Sequence, residues 1–246
     1  MFFIAERAGR LSSFLLDCLF PKECLSCGWE GGYLCDECRF SCRPAYRLRC
    51  FGCQASGEAT ATGRLCLNCQ PRFAFDGIII AADYEQELVA RLIRACKYRF
   101  VAEISAELAE WLMRCVEKFL VADRNDSLLS RRFFQAVVTA VPLSDRRRRW
   151  RGFNQSELIA RRLADFAGLK YEGDLLQRRQ RRAQATLREA ERHVNLKNAF
   201  WTSGNVPPLV ILVDDVVTTG STLQECARVL RAAGAEEIWC LVVAKG

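Results

Sequence analysis

Histidine is nearly missing: His193 is the only one in 246 residues. With no partner histidine and no placed carboxylate, it is not expected to carry catalysis. Long apolar runs are missing too. No stretch approaches about 18 consecutive apolar residues, so no segment is expected to cross a membrane. The opening MFFIAERAGR breaks its apolar start with Glu6, Arg7 and Arg10, and Phe14-Leu15-Leu16 is too short for a secretory core. The expected compartment is therefore cytoplasmic, where thiols stay reduced. Disorder is excluded as well, because 50% of the residues are apolar and only 26% are charged.

What is present in excess is cysteine. There are fourteen, and ten of them lie between Cys18 and Cys69. Eight form four CxxC pairs: Cys24/Cys27, Cys35/Cys38, Cys50/Cys53 and Cys66/Cys69. One CxxC knuckle offers two thiolates to a metal, and two knuckles complete a tetrahedron, so eight thiolates suit two structural Zn²⁺ ions. Spacing allows consecutive sites or a crossed arrangement of first and third pairs. A chain of redox CxxC motifs and an iron–sulfur cluster are the competing readings. Cys18 and Cys42 are left over, and Cys115 and Cys226 read as packing residues on helices.

Charge is regional. Residues 145–200 hold 15 basic and 7 acidic side chains, while the chain as a whole carries +7. A local anionic partner is implied.

Three segments follow from texture. Residues 1–20 read as an amphipathic helix, with Leu11, Leu15, Cys18 and Leu19 on one stripe. Residues 21–72 are Cys-rich and turn-rich, a double zinc ribbon that needs metal staples. Residues 73–246 alternate strands and helices. Strands are expected at DGIIIAADY, at 133–141, at 209–213 and in EIWCLVVA. Helices are expected over 86–99, 103–121, 154–167 and 221–233, the last stopping at Gly234. Residues 171–206 read as irregular. Such alternation predicts an α/β fold, a parallel sheet with helices on both faces.

The sharpest signal is VILVDDVVTTGST, residues 210–222. A buried strand carries Asp214 and Asp215 at its carboxyl end, and Thr218, Thr219, Gly220, Ser221 and Thr222 lead into a helix. The first amides of a helix have no internal partner, and the helix dipole adds positive charge there. Gly220 lets the backbone approach a ligand. The acids would repel that same phosphate and suit ribose hydroxyls, or a Mg²⁺ shared with a second phosphate. A phosphorylated sugar with free hydroxyls is implied. No lysine follows the glycine, which excludes a Walker loop.

These residues resemble the phosphoribosyl pyrophosphate (PRPP) motif of type I phosphoribosyltransferases. The resemblance extends to the ComF/GntX-like competence-associated family, through the CxxC module, CKYRF, VPLSDRRRRWRGFNQSEL, Gln184, RHVNLKNAF and VDDVVTTGST. Cys96 stands where the family usually has Leu, and residues 177–182 carry an altered Arg and Thr pattern. The resemblance implies a type I phosphoribosyltransferase-like domain behind the zinc module, with PRPP and Mg²⁺ as ligands. In it Asp214 and Asp215 are catalytic and Thr218 to Thr222 hold the 5′-phosphate. It makes Pro142 and Leu143 part of the pyrophosphate-side loop and places Arg147, Arg148, Arg149 and Arg151 on a flap over the pyrophosphate. Lys97 is expected to reach a phosphate.

Arginine forks suit phosphate oxygens. Trp150 among them equally suits single-stranded nucleic acid, through stacking and charge, and the basic run RRQRR (178–182) leans that way. Two functions are therefore expected to compete. One is phosphoribosyl transfer with release of pyrophosphate. The other, implied by the family's link to competence, is a non-catalytic accessory protein of DNA uptake that meets single-stranded DNA and other uptake proteins. No general base is visible for transfer.

Overall fold

The computed structural model describes residues 21–41, 49–57, 63–98, 102–122, 132–179 and 198–246. The expected helix over 1–20, Cys18, Cys42, Gln184, His193, residues 180–182 of RRQRR and most of RHVNLKNAF lie outside them.

The described chain falls into two compact units, Met1–Arg43 and Pro44–Gly246. In the first, the short helix α1 (Asp36–Ser41) carries Cys38 and follows directly on Cys35. The Cys24 amide donates to the Trp29 carbonyl and the Gly28 amide to the Cys24 carbonyl, which bends the chain into a knuckle. The same two bonds recur in the second unit, Cys50 to Ala55 and Gln54 to Cys50. Gly28 and Gln54 take the equivalent left-handed position, at φ 77° and 61°. Gln54 tolerates it because its side-chain amide donates to the Cys50 and Phe51 carbonyls.

The second unit is built on a five-stranded parallel sheet. Its strands are β1 (Gly77–Asp83), β2 (Val137–Ala140), β3 (Lys170–Tyr171), β6 (Leu209–Val217) and β7 (Glu237–Lys245), in the order β1-β7-β6-β2-β3. The apolar runs that predict β1, β2, β6 and β7 are buried nearly throughout, as strands covered on both faces must be, whereas the two-residue β3 was not expected. Between them run α2 (Glu87–Tyr98), α3 (Ile104–Ala122), α4 (Asp145–Arg151), α5 (Gln155–Ala167) and α6 (Ser221–Ala232). Helices α3 and α5 pack on each other and on the strands, whereas α6 packs on β6 and β7. Val210 and Leu212 share one core with Leu223, Cys226, Ala227 and Leu230 of α6. Alternation along β6 sends Ile211 and Val213 the other way.

Four expectations change. The strand at 133–141 shortens to β2, because Phe133–Gln135 forms a 3₁₀ turn and Phe134 is exposed. The basic loop is a helix, α4, whose arginines are good helix formers and which stops at left-handed Gly152. Residues 171–206 are not all irregular: β4 (Gln177–Arg178) pairs antiparallel with β5 (Phe200–Trp201). Finally, β6 runs on through the acid pair to Val217, because β7 extends alongside it as far as Lys245.

Among the described residues no helix is long and apolar enough to cross a membrane.

Candidate functional site

Strands β2 and β6 run parallel, β2 ending beside Val213 while β6 runs on to Val217, and both point their following turns to the carboxyl edge of the sheet, where open α/β sheets bind ligands. After Val217 the chain turns through Thr218 and Thr219, both exposed, to Gly220 at φ 78°, and α6 starts at Ser221. The Thr219 and Ser221 hydroxyls lie 2.8 Å apart. The first amide to join the α6 ladder is that of Gln224, donating to Gly220. Among the described residues no protein group accepts from the amides of Thr218, Thr219, Gly220 or Thr222. The turn is therefore an array of free donors at a helix N-terminus, open to solvent at Thr218 and Thr219, which suits an anion.

The two acids are placed otherwise than expected. Strand alternation puts Asp214 and Asp215 on opposite faces of β6. Asp215 is buried, and its Oδ2 accepts from Gln155 Nε2 at 3.0 Å and from the Lys97 ammonium at 2.6 Å. Asp214 Oδ1 accepts from Ser156 Oγ at 2.8 Å and from the Asp215 amide at 2.9 Å. Burial, and next the neighbouring Asp215 charge, push the Asp214 carboxyl up to about 7, against the opposing pull of Ser156. Lys97, expected at a phosphate, thus ends on Asp215 as its counter-ion. As it stands the pair is not an open divalent-cation site: one carboxylate is neutralised by an ammonium and the other titrates near neutrality.

Consecutive residues at the start of α5 hold the two acids. Asn154 makes this possible. Its side chain caps α5 by accepting from the Ser156 amide, and donates to the Val141 carbonyl at the end of β2. Pro142 and Leu143 follow, half-buried, and then α4. Arg147, Arg148 and Arg149 are exposed on it, with Arg148 3.8 Å from Glu157. Arg151 is not part of that exposed row. It is buried, donates to Gln155 at 2.9 Å, and lies over the Tyr98 ring. Trp150 is 58% exposed and meets Tyr98 edge to face.

Beside the turn that follows β2 lies a polar cleft of about 220 Å³, lined in part by Pro142, Leu143, Asp145, Arg148, Asp174 and Arg178. Asp145 Oδ2 is buried without a hydrogen-bond partner among the described residues. Burial, with Arg147 nearby, lowers the Arg178 guanidinium from its ordinary range.

The cysteines group consecutively: Cys24, Cys27, Cys35 and Cys38 in one set, Cys50, Cys53, Cys66 and Cys69 in the other, each with all sulfurs within 4.8 Å. The crossed arrangement is not the one formed. Sulfur pairs Cys27/Cys35 and Cys53/Cys66 stand 3.7 and 3.6 Å apart. Four sulfurs about 2.3 Å from one tetrahedral ion stand about 3.8 Å from each other, so both sets fit zinc. Burial alone would raise the Cys50 thiol, but the amides of Cys66, Cys53 and Gly52 aimed at its sulfur bring it down to about 6. Burial and the neighbouring sulfurs instead push Cys69 of the same set up to about 12. Cys115 and Cys226 are buried on α3 and α6 as packing residues. Cys96 is buried, and burial and the Asp215 charge push its thiol up to about 12.

Sequence reasoning did not find the roles of Gln155 and Ser156. An Asn followed by polar residues at a helix start was a readable cap, but its reach to acids about sixty positions on was not.

A family model described as the phosphoribosyl transferase domain matches residues 209–246, which span β6, the turn, α6 and β7. The chain is 35% identical over 214 residues to the DNA utilization protein YhgH of Salmonella typhimurium, covering 85% of this chain and 89% of that protein. It is 31% identical over 223 residues to competence protein F of Haemophilus influenzae, covering 84% and 94%. To competence protein ComFC of Streptococcus pneumoniae it is 34% identical over 124 residues, covering 50% and 53%.

Proposed function

The chain belongs to the family of competence protein F and the YhgH DNA utilization proteins, and from that premise we propose that it binds a phosphorylated ribose, PRPP or a close relative, in the service of DNA uptake or use. The observation that carries this reading is the turn at the start of α6, where the amides of Thr218, Thr219, Gly220 and Thr222 have no acceptor among the described residues. A terminal phosphate on that turn would leave the sugar over the end of β6. Any Mg²⁺ would arrive on the ligand's own phosphates, as Mg²⁺ commonly does, because Asp215 is already neutralised by Lys97.

Binding is favoured over turnover by the same ion pair. For Asp215 to steady a cationic sugar during phosphoribosyl transfer with release of pyrophosphate, Lys97 would have to leave it. Asp214, titrating near 7, is the one acid of the pair suited to taking a proton. A second role has its own observation: the exposed arginines of α4 beside Trp150 suit single-stranded nucleic acid.

A thermal-shift titration tests the main reading. PRPP with Mg²⁺ raises the Tm of the wild-type chain. Thr219→Glu, an exposed position where a carboxylate would occupy the cradle, removes the shift while keeping the unliganded Tm. No shift with the wild-type chain at millimolar PRPP would end the reading.

A further inference from the structure

The second cysteine set stands in the same unit as the phosphate turn, and residues around it reach that turn. Cys50, Leu65 and Cys69 lie in one core with Phe75, Val217, Leu223 and Cys226. Phe51, the residue after Cys50, sends its ring onto Gly220. A Cβ built on Gly220 would meet Phe51 Cε1 at 2.8 Å and Cζ at 3.0 Å. The glycine at the centre of the cradle is thus required twice, by its φ of 78° and by this ring. Phe51 is itself fixed, edge to face against Phe73 at 6.0 Å and tilted against Phe75 at 6.2 Å.

The strap that leaves the cysteine set is tied to α6 as well. Gln224, in the first turns of α6, accepts from the Ala74 amide at 2.9 Å and donates to the Arg72 carbonyl at 3.3 Å. Farther along α6, Arg231 donates to the Ala74 carbonyl and to Asp76. The Lys245 ammonium lies over the same Phe51 ring, 5.5 Å from its centroid. Lys245 sits beside Val217 in the register of β7 and β6, and the Gly246 amide donates to the Val217 carbonyl. Among the described residues Lys245 has no carboxylate within ion-pair distance. Lys245 thus offers a cation on an aromatic face beside the strand end that leads into the cradle, with Asp83 of β1 its neighbour in the sheet register.

We propose that the second cysteine set, once it holds its metal, is the positioning element of the phosphate cradle: Phe51 roofs Gly220 and carries Lys245, which supplies a cation to the ligand's phosphate. The proposal rests on the sugar-phosphate reading above for its ligand, but its mechanical half does not. A knuckle closed on zinc fixes the backbone at Cys50 and Cys53, and therefore the ring between them. An open knuckle releases the ring and leaves Gly220, the most permissive residue in the turn, without a neighbour.

The test uses the full chain in four forms, wild type, Phe51→Ala, Phe51→Leu and Leu67→Ala, with Phe51→Tyr and Lys245→Gln as two further variants. Leu67 is 78% exposed in the same cysteine segment and serves as the control. Zinc content, amide hydrogen exchange over residues 216–223 and affinity for ribose 5-phosphate are measured on each. The expected result is wild-type zinc in all four, faster exchange of the turn in both Phe51 variants, and on the order of tenfold weaker ribose 5-phosphate binding. Phe51→Tyr restores both. Lys245→Gln weakens binding with no change in exchange. If the Phe51 variants keep wild-type exchange and affinity, the proposal is overturned. If exchange rises while even the wild type binds no sugar phosphate, the buttress stands and the ligand reading falls. Weakened binding in Leu67→Ala to the same degree would overturn it too, since any disturbance of the segment would then suffice.

Discussion

Asp214 keeps its proton to about pH 7 in the folded chain, because burial and the adjacent Asp215 disfavour its charge. Unfolded, it releases that proton near the ordinary aspartate value of about 3.9. Between those values the folded state binds more protons than the unfolded one, so stability falls as pH rises from about 4 through about 7 and then levels. Asp214→Asn removes the cost of the buried charge. Denaturation followed across pH 4–8 should lose this slope, and at pH 8 the variant's Tm should exceed wild type by on the order of 5 °C. A variant that parallels wild type over the whole range would place the carboxyl in a more solvated setting than its Ser156 contact shows. Residues of this kind resist sequence reading. The acid pair was legible as a motif, but the ammonium that neutralises Asp215 comes from Lys97, 118 positions earlier, and only the packed fold brings it there.

At the scale of elements, local signals and long-range ones part company. The apolar runs of β1, β6 and β7, the stripes of α2 and α3, and the turn into α6 could all be read from periodicity and from Gly220. The extent of β6 could not, because aspartates disfavour strands and only pairing with β7 carries the ladder past them. Nor could the helical state of the arginine run, since four like charges in a row suggest a solvated loop. Helix α4 keeps Arg146 to Arg149 at the surface and turns Arg151 inward onto Gln155. That division yields a prediction for nucleic acid. Binding of a single-stranded oligonucleotide should weaken with salt, and Arg148→Ala should reduce the log–log slope by about 1 without lowering Tm. Arg151→Ala should instead lower Tm, because it leaves Gln155 without its brace. Equal salt slopes for wild type and Arg148→Ala would remove α4 from the nucleic-acid interface.

On the scale of the whole molecule, the two cysteine sets fall one in each compact unit. Reading them as one module over 21–72 followed from their density, since four CxxC pairs in a row give no hint of a boundary inside them. The contacts place the second set with the sheet, where Cys50 and Cys69 are as buried as any core residue. Two zinc ions per chain are expected by metal analysis. Cys27→Ser should lower the zinc content and leave the main thermal transition of the sheet unit in place. Cys53→Ser should lower that transition itself, because a core wall then loses its metal. Equal effects of the two substitutions on the transition would contradict the division.

The most direct measurement is an amide-resolved titration of ribose 5-phosphate into isotope-labelled protein. The expected result is saturable shifts led by the amides of Thr218, Thr219, Gly220 and Thr222, with inorganic phosphate moving the same signals at higher concentration. Unmoved turn amides at millimolar ligand, or shifts confined to the arginines of α4, would contradict a phosphate cradle at the end of β6.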